Sequence, residues 1–332
     1  MIGLALFAAA AASPAPADLK TFGDWTVGCD NGRACGARSL QPEDDFEAAT
    51  FSIDRGAGPA DAPVIDLTGS ADGVVALTAD GKRVPVRLST TSGGTKVRAE
   101  DGLAFIEAVK PAKRLGLVNA KGEEVGHASL SGLNAALLYI DEQQKRLGTV
   151  TALVRTGAKP ANSVPAAPAL PVIASPATPR LAPRTLTRAN LAAILKSLEC
   201  EPEAGDAYQP VYARLDARTT LAIVPHPCGN GAYNYFSYAL LVDNAGKYVR
   251  ARFDASPGMG EEDDGTLVNA DWDAKLNLLT TYAKGRGIGD CGSAQTFAWD
   301  GVRFRLSEQA VMGECRGSTD YITVWRAKVV RR

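Results

Sequence analysis

The chain has 332 residues, 45% of them hydrophobic and 22% charged, and its 36 Lys+Arg against 37 Asp+Glu give a net charge of −1. That balance gives no basic footprint for nucleic acid, and two histidines leave little room for a His-rich metal site. The composition is that of an ordinary globular protein, and the length suits two domains better than one.

Residues 1–12 read MIGLALF and then five alanines. About a dozen apolar residues are too few for a spanning helix. Ala15-Pro16-Ala17 has the small-x-small form of a cleavage site, so 1–17 is read as a signal peptide and Asp18 as the mature N-terminus. No Lys or Arg precedes the apolar run, a departure from the usual form. Later apolar runs are shorter than the ~18 residues a span needs. The mature chain is therefore expected to be periplasmic or secreted, with no transmembrane segment.

The six cysteines are Cys29, Cys35, Cys200, Cys228, Cys291 and Cys315. An even count after a signal peptide reads as disulfides. If the two domains do not cross-link, Cys29 pairs with Cys35. Nearest neighbours give Cys200–Cys228 and Cys291–Cys315, each closing a loop worth on the order of 3 kcal/mol. The lack of any C-x-x-C argues against zinc and against thiol redox chemistry.

The first domain is placed at 18–155. Residues 22–29 (FGDWTVGC) read as a strand, with Asp30-Asn31-Gly32 as its turn, and Phe51 and Ile53 alternate with polar neighbours. Residues 74–78 and the series Val84, Val86, Leu88 flank a hairpin turn at Asp80-Gly81. Leu103, Ile106 and Val109 mark one helix, capped by Asp101 and ended by Pro111. Leu133, Leu137 and Ile140 mark another, ended by Gly148, with Glu142 and Arg146 as an exposed i,i+4 pair.

Residues 156–185 carry seven of the 19 prolines, eight alanines and no acid. Such a segment favours an extended spacer of about 3 Å per residue, so the domains should sit apart or touch lightly. The second domain, 186–332, opens with a helix burying Leu191, Ile194, Leu195 and Leu198. Strands follow: Phe236, Tyr238, Leu240 and Val242 alternate, the turn Asn244-Ala245-Gly246 leads to Val249, Ala251 and Phe253, and 276–282 is another strand. Asp300-Gly301 joins 297–299 to 302–306 as a two-residue hairpin, and 321–329 closes the chain. The fold class is mainly β with a few helices: two antiparallel β-sheet domains, sandwich or barrel-like, joined by a Pro/Ala-rich linker.

Three stretches, beginning at Cys291 (CGS), Trp299 (WDGVRFRL) and Met312 (MGECRGSTD), resemble the C-terminal signature of the domain-of-unknown-function family 1176, exported proteobacterial proteins. The segment 22–35 (FGDWTVGCDNGRAC) fits the same family. The first domain is also similar to the invasion-associated locus B family, which shares a Trp-x-x-x-Cys start and a late Ser-x-x-Gly helix entry, here Ser129 to Gly132. These resemblances imply export and a two-part architecture. They imply no catalytic residue and no ligand.

The remaining motifs are weighed against plainer readings. Gly287, Gly289 and Gly292 spell G-x-G-x-x-G, but 293–299 reads as a strand where a dinucleotide site needs a helix, so a tight connection is expected. No G-x-S-x-G occurs. His127 falls on a strand. His226 lies two residues from Cys228, a nucleophile that a disulfide removes. Residues 261–264 (EEDD), with Asp271 and Asp273, could suit calcium or carboxylate chemistry, but their spacing matches no EF-hand, and a solvated turn is preferred.

Tyr208, Tyr212, Tyr233, Tyr235, Phe236, Tyr238 and Tyr248 crowd one stretch, a recognition surface or ordinary cross-strand packing. Arg303, Arg305, Arg326, Lys328, Arg331 and Arg332 line late strands and the tail, an anion-attracting face or a protected edge. Tyr233, Tyr235, Tyr238, Arg303 and Arg305 are the candidate binding residues. No metal and no cofactor is expected. The expected function is non-enzymatic: an envelope-associated binding or interaction protein with an envelope or protein partner. The alternatives are a periplasmic hydrolase using the acidic loop and an inhibitor-like module that plugs another protein's cleft.

Overall fold

The computed structural model describes residues 14–67, 73–91, 94–197, 209–226, 230–258 and 265–332. The apolar leader 1–13, Leu198, Cys200, Tyr208, Cys228 and the acidic run 261–264 lie outside them.

The N-terminal half begins with β1 (Lys20–Phe22), β2 (Trp25–Cys29), β3 (Cys35–Ser39), β4 (Ser52–Arg55) and β5 (Val64–Leu67). It continues with β6 (Val74–Ala79), β7 (Lys82–Arg83), β8 (Leu88–Thr91), β9 (Gly94–Val97), α1 (Gly102–Val109), β10 (Arg114–Asn119), β11 (Glu124–Ser129) and α2 (Leu133–Gln143). A seven-stranded sheet runs β1-β2-β3-β4-β5-β9-β8, and a four-stranded sheet runs β11-β10-β6-β7. Both are antiparallel throughout. Period-2 alternation explains the first: Trp25, Val27, Ala37, Ile53 and Ile65 are all buried in a core shared with both helices. Trp25, Phe51 and Phe105 stack edge to face within it, with ring centres 4.9 and 6.1 Å apart.

After β12 (Val172–Ser175) and α3 (Arg188–Lys196) come β13 (Val211–Arg214), β14 (Thr219–Pro225), β15 (Phe236–Asp243), β16 (Tyr248–Arg250) and β17 (Thr266–Val268). Then follow β18 (Asp271–Asp273), β19 (Leu278–Lys284), β20 (Gly292–Trp299), β21 (Phe304–Met312), β22 (Ile322–Arg326) and β23 (Lys328–Arg331). The sheet β13-β14-β15-β16, with β17 also on β15, faces the sheet β18-β19-β20-β21-β22 across a core of Leu221, Ile223, Phe253, Phe297 and Phe304. On β14 the intervening Ala222 and Val224 point the other way, where Ile194 of α3 covers them. The protein is thus mainly β with several antiparallel sheets, and no sheet of the described residues closes into a barrel.

Several local expectations change. α1 buries Phe105, Ile106 and Val109, while Leu103 is 46% exposed. Asp101 makes no capping bond, because its carboxylate is taken by Arg87. α2 stops at Gln143, before Gly148, where Lys145 turns left-handed at φ 60°. Arg146 is fully buried and forms no exposed pair with Glu142: it donates to Gln144 Oε1, Pro59 O, Gly58 O and Thr151 Oγ1. β7 ends at Arg83, so Val84 and Val86 lie outside any strand. The β20–β21 loop is longer than two residues, since Trp299 pairs with Phe304. Leu195 is 38% exposed on α3.

The Pro/Ala-rich segment does not hold the halves apart. Its β12 pairs in parallel with β23, Val172 opposite Lys328, and the carbonyls of Pro165 and Ala166 accept from Arg33. Prolines lack donors but keep carbonyls, so the segment can be tied down by N–H groups from elsewhere in the chain.

Candidate functional site

The halves meet where β22 lies on the β2–β3 hairpin. Cys29 and Cys35 face each other across that hairpin and are joined by a disulfide. The connecting turn is shaped by Asp30, whose Oδ1 accepts from Gly32 N at 2.8 Å and Ala34 N at 2.9 Å. Gly28 and Gly36 are register partners. A Cβ on Gly28 would sit 2.5 Å from Leu19 Cδ2 and 3.3 Å from Ile322 Cγ2 of β22, so a larger residue here would have to displace the Leu19 side chain and crowd β22. A Cβ on Gly36 would meet Asp54 Oδ1 at 2.7 Å and Arg38 Nη1 at 2.8 Å.

Polar contacts cross the seam along its length. Arg38 Nη1 pairs with Asp54 and its Nε with Asp320, both at 2.9 Å. Arg326 Nε is bonded to Asp30 Oδ2. Asn31 and Arg326 exchange bonds of 2.9 and 2.8 Å. The Cys291–Cys315 disulfide holds the loop whose Arg316 reaches Asp24 and Gln41 O.

Between these contacts lies a cavity of about 330 Å³, walled by both halves. Asp30, Gly36, Arg38, Asp54, Arg55 and Val64 border it from one side, and Glu308, Thr323 and Arg326 from the other. Alternation on β3 and β4 explains the first wall: Ala37 and Ile53 go to the core, and Arg38 and Asp54 take the opposite face. Burial pushes the Asp54 carboxyl above its usual range; Arg38 opposes that shift, while Asp320 and Asp66 add to it. Burial, with Arg146 nearby, brings the Arg55 guanidinium down to about 10, against the pull of Asp141 and Asp61. Cys35 in the cleft wall is oxidised and offers no thiolate. Among the described residues no group of three His, Cys, Asp or Glu could hold a metal ion.

The five residues singled out by sequence lie elsewhere. Tyr238 is 9% exposed, 5.2 Å from the His226 ring and under the Arg250 guanidinium at 3.7 Å, beside a smaller cavity of about 290 Å³ under α3. Tyr233 is half-buried and its hydroxyl faces Gly285 O at 3.4 Å; Tyr235 is exposed. Arg303 sits in the β20–β21 loop. Arg305 is engaged by Asp254 and Asp300. Asp271 and Asp273 carboxylates accept from the N–H groups of their own turn. His127 Nε2 lies 2.5 Å from Asp45 Oδ2. The glycines at 289 and 292 have φ of 71° and 137° in the β19–β20 connection, and a strand follows them.

Cys29, Cys35, Cys291 and Cys315 pair as the spacing suggested. Apart from Arg326, read as part of a basic face, and Asp30, read as a turn, the cleft residues went unread, because the contacts across the seam join positions 282 and 296 residues apart. The signal available was Gly28 and Gly36 flanking the first disulfide.

The chain is 32% identical over 342 residues to the uncharacterized protein YpfG of Escherichia coli (strain K12), an alignment spanning 94% of this chain and 93% of the relative. Among solved structures it is similar to invasion associated protein B from Bartonella henselae, at 16% identity, covering 39% of this chain and 99% of that one with a TM-score of 0.27. A similarity at that level transfers neither function nor partner. Residues 19–328 match the family described as Protein of unknown function (DUF1176), and the chain belongs to that family.

Proposed function

We propose that the protein is exported and works as an envelope-associated binding protein without catalysis, taking its ligand in the cleft where the halves meet. The cleft carries this reading: it is about 330 Å³, is walled by both halves, and keeps charged side chains open toward it. The division into 18–155 and 186–332 belongs to the same proposal, each part supplying one wall. The apolar leader ending in small residues supports export, and so do the two disulfides among the described residues. Native mass spectrometry of protein isolated from the periplasm tests it. The wild type should carry a non-covalent small molecule, and Val64→Trp should lose it, since Val64 stands 46% exposed on the cleft rim. Wild-type protein without bound mass, or bound mass that survives Val64→Trp, contradicts the reading.

One observation favours a second reading, an inhibitor-like module. Phe46 is 76% exposed on a loop braced by Gln41 Nε2, which donates to Phe46 O at 2.8 Å and Ala48 O at 3.0 Å. A projecting aromatic on a pre-organised loop suits insertion into a partner's pocket. Under that reading Phe46→Ala abolishes a stable protein complex and leaves small-molecule retention intact.

A further inference from the structure

Four turns at one end of the C-terminal sandwich share one build: those between β13 and β14, β15 and β16, β18 and β19, and β20 and β21. Each opens on an aspartate whose carboxylate accepts N–H groups of its own turn: Asp216 from Arg218 and Thr219, Asp243 from Lys247, Asp273 from Lys275 and Leu276, Asp300 from Val302 and Arg303. Two to four residues later each carries a cation, Arg218, Lys247, Lys275 or Arg303. The aspartates shape the backbone, and among the described residues none of these four cations has an ion pair. Contacts tie the turns into one surface. Asn244 Nδ2 donates to Ala217 O at 3.2 Å, Lys247 and Gly301 border one cavity of about 350 Å³, and Arg331 Nη2 donates to Leu276 O. Arg332 exchanges backbone bonds with Ser175 and Ala177, and the linker runs on through Arg180 to Arg184, whose guanidinium lies beside Gly246. Arg180, Arg184, Arg331 and Arg332 are exposed and also lack ion pairs among the described residues. Eight cations therefore stand against the four aspartates and the carboxylate of Arg332, in a chain whose net charge is −1. Arg305 and Asp254, just behind this surface, neutralise each other. Large apolar side chains are exposed here too, each next in sequence to one of the cations: Leu181 at 54%, Leu276 at 59% and Val302 at 60%.

We propose that this end of the protein docks on an anionic phospholipid bilayer, with its cations against the lipid phosphates and Leu181, Leu276 and Val302 dipping into the headgroup boundary. The proposal goes beyond the cleft reading and shares only export with it. Each Lys or Arg held near an anionic leaflet adds attraction. Aliphatic side chains interspersed among them gain burial at a lipid interface, which a dissolved polyanion does not offer. That pairing of charge with exposed apolar tips is what favours a bilayer. The aspartate-shaped turns hold both kinds of side chain in place before contact, so docking orders little new chain.

Co-sedimentation of the mature chain with lipid vesicles tests the proposal. One set of vesicles mixes phosphatidylglycerol with phosphatidylcholine in equal parts, and the other is phosphatidylcholine alone. The chain should bind the anionic set at low salt, bind the neutral set roughly tenfold more weakly or less, and leave the anionic set at about 0.5 M salt. Lys247→Gln with Lys275→Gln should weaken binding to the anionic set roughly tenfold or more, at about fivefold for each charge removed. Leu276→Ser should weaken it roughly fivefold through lost apolar burial. Lys82→Gln with Arg83→Gln, two exposed cations on β7 of the other half, should leave it unchanged. All the replaced side chains are exposed, and thermal melts of the variants should match wild type. The proposal is overturned if anionic vesicles bring down no protein, if neutral vesicles bind equally, or if the Lys247 and Lys275 pair matters no more than the Lys82 and Arg83 pair. Unchanged binding by Leu276→Ser also overturns it, because charge alone would then make any polyanion a sufficient partner. None of these results moves the cleft reading, which bound mass and Val64→Trp decide separately.

Discussion

Asp101 precedes α1 yet serves Arg87, which grips it with Nε, Nη2 and backbone N–H, each at 2.8 Å. Those bonds favour the ionised carboxylate and bring Asp101 from the ordinary 3.8 down to about 2. A depressed folded-state pKa contributes stability that is present above the unfolded value and lost as pH falls through the folded one. The window is therefore about pH 4 down to 2. Thermal melts across it should show a flatter pH dependence for Asp101→Asn than for wild type; equal slopes would contradict the assignment. Gly28 makes a second residue-scale test. Gly28→Val should cost ~1–3 kcal/mol through overpacking against Ile322 and Leu19. Gly126→Ala, whose Cβ meets nothing nearer than 4.0 Å, should change little. Denaturant midpoints of the two variants decide the point.

Strand periodicity was legible where a segment's burial follows its own alternation, as in β19, whose every second residue is buried. It misled where a distant partner overrides the local pattern. Arg146 reads as one end of a surface pair with Glu142, but the 56–59 loop supplies carbonyls that draw it inside. The Pro/Ala segment reads as a free spacer, but β23 offers it an unpaired edge. Trypsin should therefore cut the linker first at Arg180 and Arg184, which lie in exposed chain just after β12. The nicked chain should still elute as one body on size exclusion; separate fragments would contradict the β12–β23 pairing. Replacing Cys291 and Cys315 together should destabilise the C-terminal half by roughly 2–5 kcal/mol. It should also loosen the seam, because Arg316 loses the anchor that presents it to Asp24.

At the scale of the molecule, the seam turns two cores into one body and creates the cleft. Neither half encloses that cavity alone: Arg38 and Asp54 come from one side, Glu308 and Arg326 from the other. Its charges could be counted from the sequence, but their pairing depends on Arg326 choosing Asp30 over Glu308, a choice between positions 296 and 18 residues away. Small-angle X-ray scattering of the mature protein tests the docked arrangement most directly. Docked halves give a radius of gyration of about 20–23 Å. A value near 30 Å or more, as for two halves separated by an extended thirty-residue spacer, would contradict the shared cleft.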